Sequence, residues 1–307
     1  MLCMTIIDLQ KKHPALTSFD LDLLLTAAIK KPKEFLYSHP EYRLSPWQRL
    51  RLKYFLFLQK KGYSVAAIAK HKEFYGLPAG QAGLDFFVNR HVLIPRPETE
   101  LMVEEAAREI TNVKLQMSNQ IQNPNAKLIL IDVGTGSGCV PISIFKTLQP
   151  TPTPPKRGIT LFATDISRSA LRVAKKNAKN HRVNIKFLRG NLLQPILKKY
   201  SLLPTPYSLI ITANLPYLTE QQFQSEPSIQ REPKIALVAE KNGLALYEEL
   251  FKQIPLLPTP HSLLLLLEID PSQTEKISKL IKQYFPSANL AIKKDLAGRD
   301  RLVIIKI

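Results

Sequence analysis

Apolar and polar positions alternate differently in the two parts of this chain. Up to about residue 75 the apolar residues recur at helical spacing, and Gly62 is the only glycine. Asp20 to Ile29 predicts one helix. Pro46 opens another, followed by Trp47, Leu50, Leu52, Tyr54, Phe55 and Leu58, and proline suits a first helical position because its missing N–H is not needed there. Leu84–Val88, a turn at Asn89-Arg90 and Val92–Ile94 predict a β-hairpin. Glu98 to Glu109 reads as a helix, and the polar stretch Thr111 to Ala126 as a loop.

Beyond that loop, short apolar runs alternate with helical segments. The runs predict strands at Leu128–Val133, Ile159–Thr164, Asn184–Leu188, Leu209–Thr212, Ser262–Ile269 and Leu302–Ile305. Lys293 to Arg301 should bend before the last of them. Proline-rich pieces at Pro150–Pro155, Pro204–Pro206 and Pro255–Pro260 read as loops. Such alternation predicts an α/β fold with a mostly parallel sheet covered on both faces. The expected organisation is a helical unit over 1–80, a hairpin linker over 81–96 and an α/β unit over 97–307.

Composition narrows this picture. At 307 residues with 45% hydrophobic content, the chain can build more than one core. A formal charge of +18 implies an acidic partner such as RNA or a ribosome, although the lysines are scattered. Cys3 and Cys139 are too few for a disulfide framework or a cysteine zinc site, which suits a reducing cytoplasm. Leu263 to Leu267 falls far short of the ~20 apolar residues that span a bilayer, and the first residues do not read as a signal peptide. A soluble cytoplasmic monomer is expected, without membrane contact. The six histidines are dispersed, so no metal is expected.

Candidate chemistry lies at two strand ends. Asp132-Val133-Gly134-Thr135-Gly136-Ser137-Gly138 follows an apolar run and opens a helical one. Alternate glycines let backbone approach a ligand closely, and the helix start behind them offers N–H groups. The spacing Gly-x-Gly-x-Gly differs from the dinucleotide pattern and resembles that of class I methyltransferases. Asp165 ends the next strand, where its two oxygens can accept both ribose hydroxyl protons while Ser167 caps the following helix. Asn191-Leu192 follows the third strand, and the Asn191 carbonyl could accept a proton from an adenine amino group. The second strand end is Asn214-Leu215-Pro216-Tyr217. Asn214 Oδ1 and the Leu215 carbonyl could accept both hydrogens of a substrate –NH2, aim its nitrogen and stabilise the developing positive charge. Pro216 stiffens this loop, and Tyr217 offers a ring face to a planar group. An S-adenosylmethionine-dependent N-methyltransferase is the reading these pieces give together.

The chain resembles the PrmC/HemK enzymes, the peptide chain release factor N5-glutamine methyltransferases, over nearly its full length. The likeness rests on Val92-Leu93-Ile94-Pro95-Arg96-Pro97-Glu98-Thr99-Glu100, on Glu73-Phe74-Tyr75-Gly76, and on Arg231-Glu232-Pro233 with Ala236-Leu237 and Gly243-Leu244. Glu268-Ile269 with Gln273, and Asp295 to Arg301, complete it. It implies a class I methyltransferase unit with a seven-stranded sheet, and a small helical unit that recognises a class I release factor. S-adenosylmethionine would lie against Asp132, Gly134 to Gly138, Asp165, Asn191, Leu192 and Asn214. The substrate would be the glutamine of the Gly-Gly-Gln loop, its amide held by Asn214 to Tyr217. Leu215 replaces the family's usual proline, Asn191 stands where an acidic residue is common, and Leu192 lacks the usual ring. Asn-Leu-Pro-Tyr also resembles ribosomal RNA adenine dimethyltransferases, so an RNA or DNA adenine N6-methyltransferase is the alternative. A basic module with a decayed cofactor pocket is a third reading. Arg96, Glu98 and Glu100 either orient the hairpin and helix through ion pairs, the favoured reading, or line the substrate entrance.

Overall fold

A computed structural model of the protein describes residues 5–12, 16–76, 83–119, 127–148, 159–199 and 207–307. The chain begins with α1 (Ile6–Lys12), α2 (Ser18–Ile29), α3 (Lys33–Ser38), α4 (Pro46–Lys60) and α5 (Val65–Ala69). Capping side chains set the starts of α2, α4 and α5. Thr17 Oγ1 accepts from the Asp20 N–H, while Ser45 and Gln48 cap α4 reciprocally around Pro46. Leu21, Leu24, Leu25, Leu36, Leu52 and Ile68 bury into a core of their own.

A two-stranded ribbon follows, but not the expected one. β1 (His71–Gly76) pairs antiparallel with β2 (Gly83–Phe87), so Leu84–Phe87 turns back on residues before it. Val92–Ile94 is not a strand. The Ile94 N–H is taken by Glu232 Oε2 at 3.0 Å, and Pro95 and Pro97 have no N–H to give a ladder. Val92 is instead buried in a small cluster with Val88, Ala170 and Val173, and Ile94 is buried beside it in sequence. The ribbon is tied down by Asn177. Its carboxamide accepts from the Phe87 N–H at 2.8 Å and donates to the Phe87 and Ser137 carbonyls, each at 2.9 Å.

The α/β part runs α6 (Glu100–Asn119), β3 (Lys127–Val133), α7 (Cys139–Thr147), β4 (Ile159–Asp165), α8 (Arg168–Asn180), β5 (Lys186–Arg189) and α9 (Gln194–Leu197). It continues with β6 (Tyr207–Ala213), α10 (Glu220–Ser225), α11 (Glu240–Gly243), α12 (Ala245–Gln253), β7 (Ser262–Glu268), α13 (Thr274–Tyr284), β8 (Asn289–Lys294) and β9 (Asp300–Lys306). The loop expected from Thr111 is helical to Asn119, since no glycine or proline interrupts the chain between Pro97 and Pro124. Residues 120–126 lie outside the described residues, as do the proline-rich pieces 150–155 and 204–206. Pro255 sits in a single turn of 3-10 helix, Ile254–Leu256.

The strands form a seven-stranded sheet in the order β5-β4-β3-β6-β7-β9-β8, with β3 to β7 parallel and β9 antiparallel to both its neighbours. Every strand expected in this sheet is present. β8 is additional, and Lys293 and Lys294 belong to it rather than to the bend. That bend is narrower, with the Asp295 N–H on the Arg299 carbonyl at 2.8 Å. Alternate residues of β3 serve opposite cores, Ile129 and Ile131 facing α12 and α13 and Leu128 and Leu130 facing α6 and α7. Burial on both faces explains why these strands read as near-continuous apolar runs. No helix among the described residues is long and apolar enough to cross a membrane.

Candidate active site

Strand order places the site. β4 and β5 lie to one side of β3 and β6 and β7 to the other, so the crevice beyond the carboxyl ends of β3 and β6 is the topological switch point of the sheet. Val133 pairs with Ala213, which sets Gly134 and Asn214 side by side. The cleft is lined by Asp132, Gly134, Thr135, Gly136, Ser137, Asp165, Asn191, Leu192, Asn214, Leu215 and Pro216 from the sequence reading. Thr99, His91, Val92, Leu93, Pro95 and Arg96 close one side, and Ile235, Ala236 and Leu246 another. Gly138 and Tyr217 are not among the lining residues.

The glycine turn takes left-handed backbone at alternate residues, with φ of 73° at Gly134, 54° at Gly136 and 80° at Gly138. A Cβ on Gly134 would stand 3.0 Å from Leu215 Cδ2, so this glycine keeps the two loops together. At Gly138 the crowding comes from Ala174 and Ile142, at 3.2 and 3.3 Å, and this glycine serves the packing of α7 against α8. Asp132 lies buried beneath the turn and accepts from the Thr212 hydroxyl at 2.7 Å. Burial lifts its carboxyl to about 6, against the hydroxyls of Thr135 and Thr212 and with a further push from Asp165.

Asp165 is more engaged than the sequence suggests. Oδ2 accepts from the Gly136 N–H at 2.9 Å and Oδ1 from the Ser167 N–H at 2.7 Å. Each oxygen keeps a further lone pair for a diol. Burial pushes this carboxyl up, while the two backbone donors pull it down. Ser167 caps α8 through the Ala170 N–H at 3.1 Å, as anticipated. Gly190, just before Asn191, is required by packing, since a Cβ there would meet Pro195 at 2.4 Å.

Asn214 sits in a chain of hydrogen bonds that the sequence does not announce. Its Nδ2 donates to Thr99 Oγ1 at 3.1 Å, and the Thr99 hydroxyl donates to Glu268 Oε2 at 2.7 Å. With Nδ2 committed, Asn214 Oδ1 is the amide atom left for the cleft. Tyr217 turns away from it, its hydroxyl donating to Glu268 Oε1 at 3.3 Å, so it supports the loop from behind. Burial is the chief cause of the raised Tyr217 phenol and of a Glu268 carboxyl near 7. Leu215, where the resembling family has proline, keeps an N–H that donates to the Tyr247 hydroxyl at 3.4 Å. The Tyr247 hydroxyl in turn donates to the Glu268 carbonyl.

Arg96 before α6 and Glu100 at its first position have structural partners. Arg96 bonds Glu232, whose other oxygen holds Ile94, and Glu100 Oε1 accepts from the Tyr75 N–H at 3.0 Å. Tyr75 has φ of 57°, so this carboxylate secures a strained point of the ribbon. Thr99 and Glu268 belong to segments that carry the family resemblance, but the sequence gives neither of them a role in the site. A signal existed for Glu268, an acidic residue closing an otherwise apolar strand.

No family model matches the chain. It is 36% identical over 230 residues to the release factor glutamine methyltransferase of Enterococcus faecalis, covering 73% of each chain. With that of Bacillus subtilis it shares 31% identity over 255 residues, 82% of this chain and 78% of the relative. Among solved structures, the catalytic domain of human METTL16 in complex with MAT2A 3'UTR hairpin 6 superposes with a TM-score of 0.51 at 14% identity, covering 82% of this chain and 91% of that one. That likeness is one of fold, the class I methyltransferase fold.

Proposed function

The chain belongs to the release factor glutamine methyltransferase family, and from that premise we propose that it methylates the amide nitrogen of the glutamine in the Gly-Gly-Gln loop of class I release factors, with S-adenosylmethionine as donor. The observation that supports this is the hydrogen bond from Asn214 Nδ2 to Thr99 Oγ1 at 3.1 Å, which engages the amide nitrogen and leaves Oδ1 as the atom to accept in the cleft. An acceptor is what a substrate –NH2 requires, because its lone pair is delocalised and its hydrogens are the handles available. Asn214 Oδ1 and the Leu215 carbonyl take those hydrogens, orient the nitrogen and offset the charge that grows on it. No general base is assigned, and the proton leaves to water once nitrogen has become cationic.

The cleft suits the donor. Its left-handed glycines leave no side chain between backbone and ligand, Asp165 retains acceptor capacity for a ribose diol, and Ile166 and Leu192 supply apolar walls. When bound, the cofactor supplies an electrophilic methyl group. The carboxylates Asp132 and Asp165 favour a ligand of positive charge. In this reading the helical unit over 1–80 recognises the release factor, and the unit over 97–307 carries out the transfer in the cytoplasm.

The decisive experiment is transfer from labelled S-adenosylmethionine to a purified class I release factor, its Gly-Gly-Gln→Gly-Gly-Ala variant and bulk ribosomal RNA. Label on the first alone supports the proposal. Label on RNA alone would replace it with an adenine N6 activity.

A further inference from the structure

We infer that Glu268 is a positioning residue for the transfer, acting through Thr99 to hold the Asn214 carboxamide with its oxygen toward the cleft. The inference rests on the reading of Asn214 as the acceptor for a substrate –NH2. Its basis is a count of protons along one chain of hydrogen bonds. An ionised carboxylate can only accept, and Glu268 receives the Tyr217 hydroxyl on Oε1 and the Thr99 hydroxyl on Oε2. Thr99 has a single hydroxyl proton and spends it on Glu268. Its oxygen can therefore only accept from Asn214, and the atom facing it must be Nδ2. The polarity of the relay is thus fixed at its buried end.

A neutral Glu268 removes that constraint. It can donate its own proton to Thr99 Oγ1, which frees the Thr99 hydroxyl to donate to Asn214. The carboxamide then gains nothing from its working orientation, and the flipped one turns two N–H donors toward the substrate's N–H groups. Several elements set the balance. Arg301 of β9, held by Asp295 and by the Ile269 carbonyl at 3.1 Å, favours the ionised form. Burial opposes it most strongly, and Glu98 before α6 adds to that. Tyr217 and Tyr247 face the same residue as neutral donors. The carboxyl consequently titrates near 7, and the relay can switch within the ordinary working range of pH.

The test uses the full chain with asparagine side chains labelled with nitrogen-15. The Asn214 amide pair is assigned by its absence from Asn214→Ala. It should shift on titration through neutral pH in the wild type, stay still in Glu268→Gln and Thr99→Val, and titrate again in Thr99→Ser. At a pH above the titration, Glu268→Gln and Thr99→Val should lose kcat on the order of 10²-fold, as a misplaced reacting group does. The dissociation constant for S-adenosylmethionine should not change, and Thr99→Ser should recover most of the loss. An Asn214 pair that ignores pH, or that titrates equally in Glu268→Gln, overturns the relay whatever the activity. Thr99→Val is nearly isosteric and decides the matter if Glu268→Gln fails to fold. If label goes to RNA and not to release factor, the proposed substrate is wrong, while the Asn214 titration still judges the relay.

Discussion

At the level of single residues, Asn214 and Glu268 divide the burden between chemistry and its support. Truncating Asn214 to alanine removes the acceptor without touching the glycine turn or Asp165. Asn214→Ala should therefore lower kcat by roughly 10²-fold or more while leaving cofactor affinity intact, as loss of a transition-state partner does elsewhere. Turnover near that of the wild type in a single-turnover assay would refute the amide-acceptor mechanism. Glu268 carries a cost in stability. Burial raises its carboxyl from 4.5 to about 7, so its contribution is fully present below about pH 4.5 and is lost as pH rises through about 7. At about 1.4 kcal/mol for each pKa unit, the loss is on the order of 3 kcal/mol. Glu268→Gln should flatten this dependence, and its Tm should gain on that of the wild type between mildly acidic and mildly alkaline solution. Parallel Tm curves for the two proteins would count against a buried titrating Glu268.

Among the elements, glycines separate local turn chemistry from packing between distant segments. Gly243 and Gly298 both adopt left-handed backbone, at φ of 81° and 76°. A Cβ on Gly243 would stand 1.9 Å from the Tyr217 carbonyl oxygen, whereas one on Gly298 would meet nothing within 4 Å. Gly298→Ala should cost only the backbone penalty of about 1–2 kcal/mol. Gly243→Ala must also displace the loop that carries Asn214 to Tyr217, so a larger loss and reduced methyl transfer are expected. Urea midpoints at constant m-value would measure both, and equal losses would show that the crowding at Gly243 relaxes freely. The same distinction explains what the sequence made legible. β3, β6 and β7 are buried on both faces, so their apolar runs stood out, and the glycine turn followed directly from one of them. β8 is a half-exposed edge strand, Asn-Leu-Ala-Ile-Lys-Lys, whose pattern carries little signal. The ribbon is hard to read from sequence because β1 is largely polar and bulges at Tyr75, while the apolar Val92 packs with Val88 onto Ala170 and Val173 of α8 and not into a ladder. Thr99 and Glu268 lie far apart in sequence, and no local pattern encodes a hydrogen bond between them.

For the molecule as a whole, the proposed reaction needs a surface that grips a folded protein while one glutamine reaches the cleft. α4 has the character of such a surface. Trp47, Leu50, Tyr54 and Phe57 follow one another at helical spacing and are all exposed, Trp47 at 78%, while Leu52 on the same helix is buried in the helical core. Arg49, Lys53 and Lys60 share the helix, adding positive charge to an apolar stripe. Tryptophan, tyrosine and arginine are enriched among the few interface side chains whose truncation costs about 2 kcal/mol or more. If the release factor docks here, Trp47→Ser with Tyr54→Ser should raise KM for the intact factor roughly 30-fold, the equivalent of that energy. Values of kcat at saturation, and kcat/KM for a short Gly-Gly-Gln peptide too small to reach α4, should stay as they were. Equal losses for the peptide and the intact factor would mean that the substitutions act by disturbing the fold. An unchanged KM for the factor would move its docking surface off α4 and leave the exposed stripe without a part in recognition.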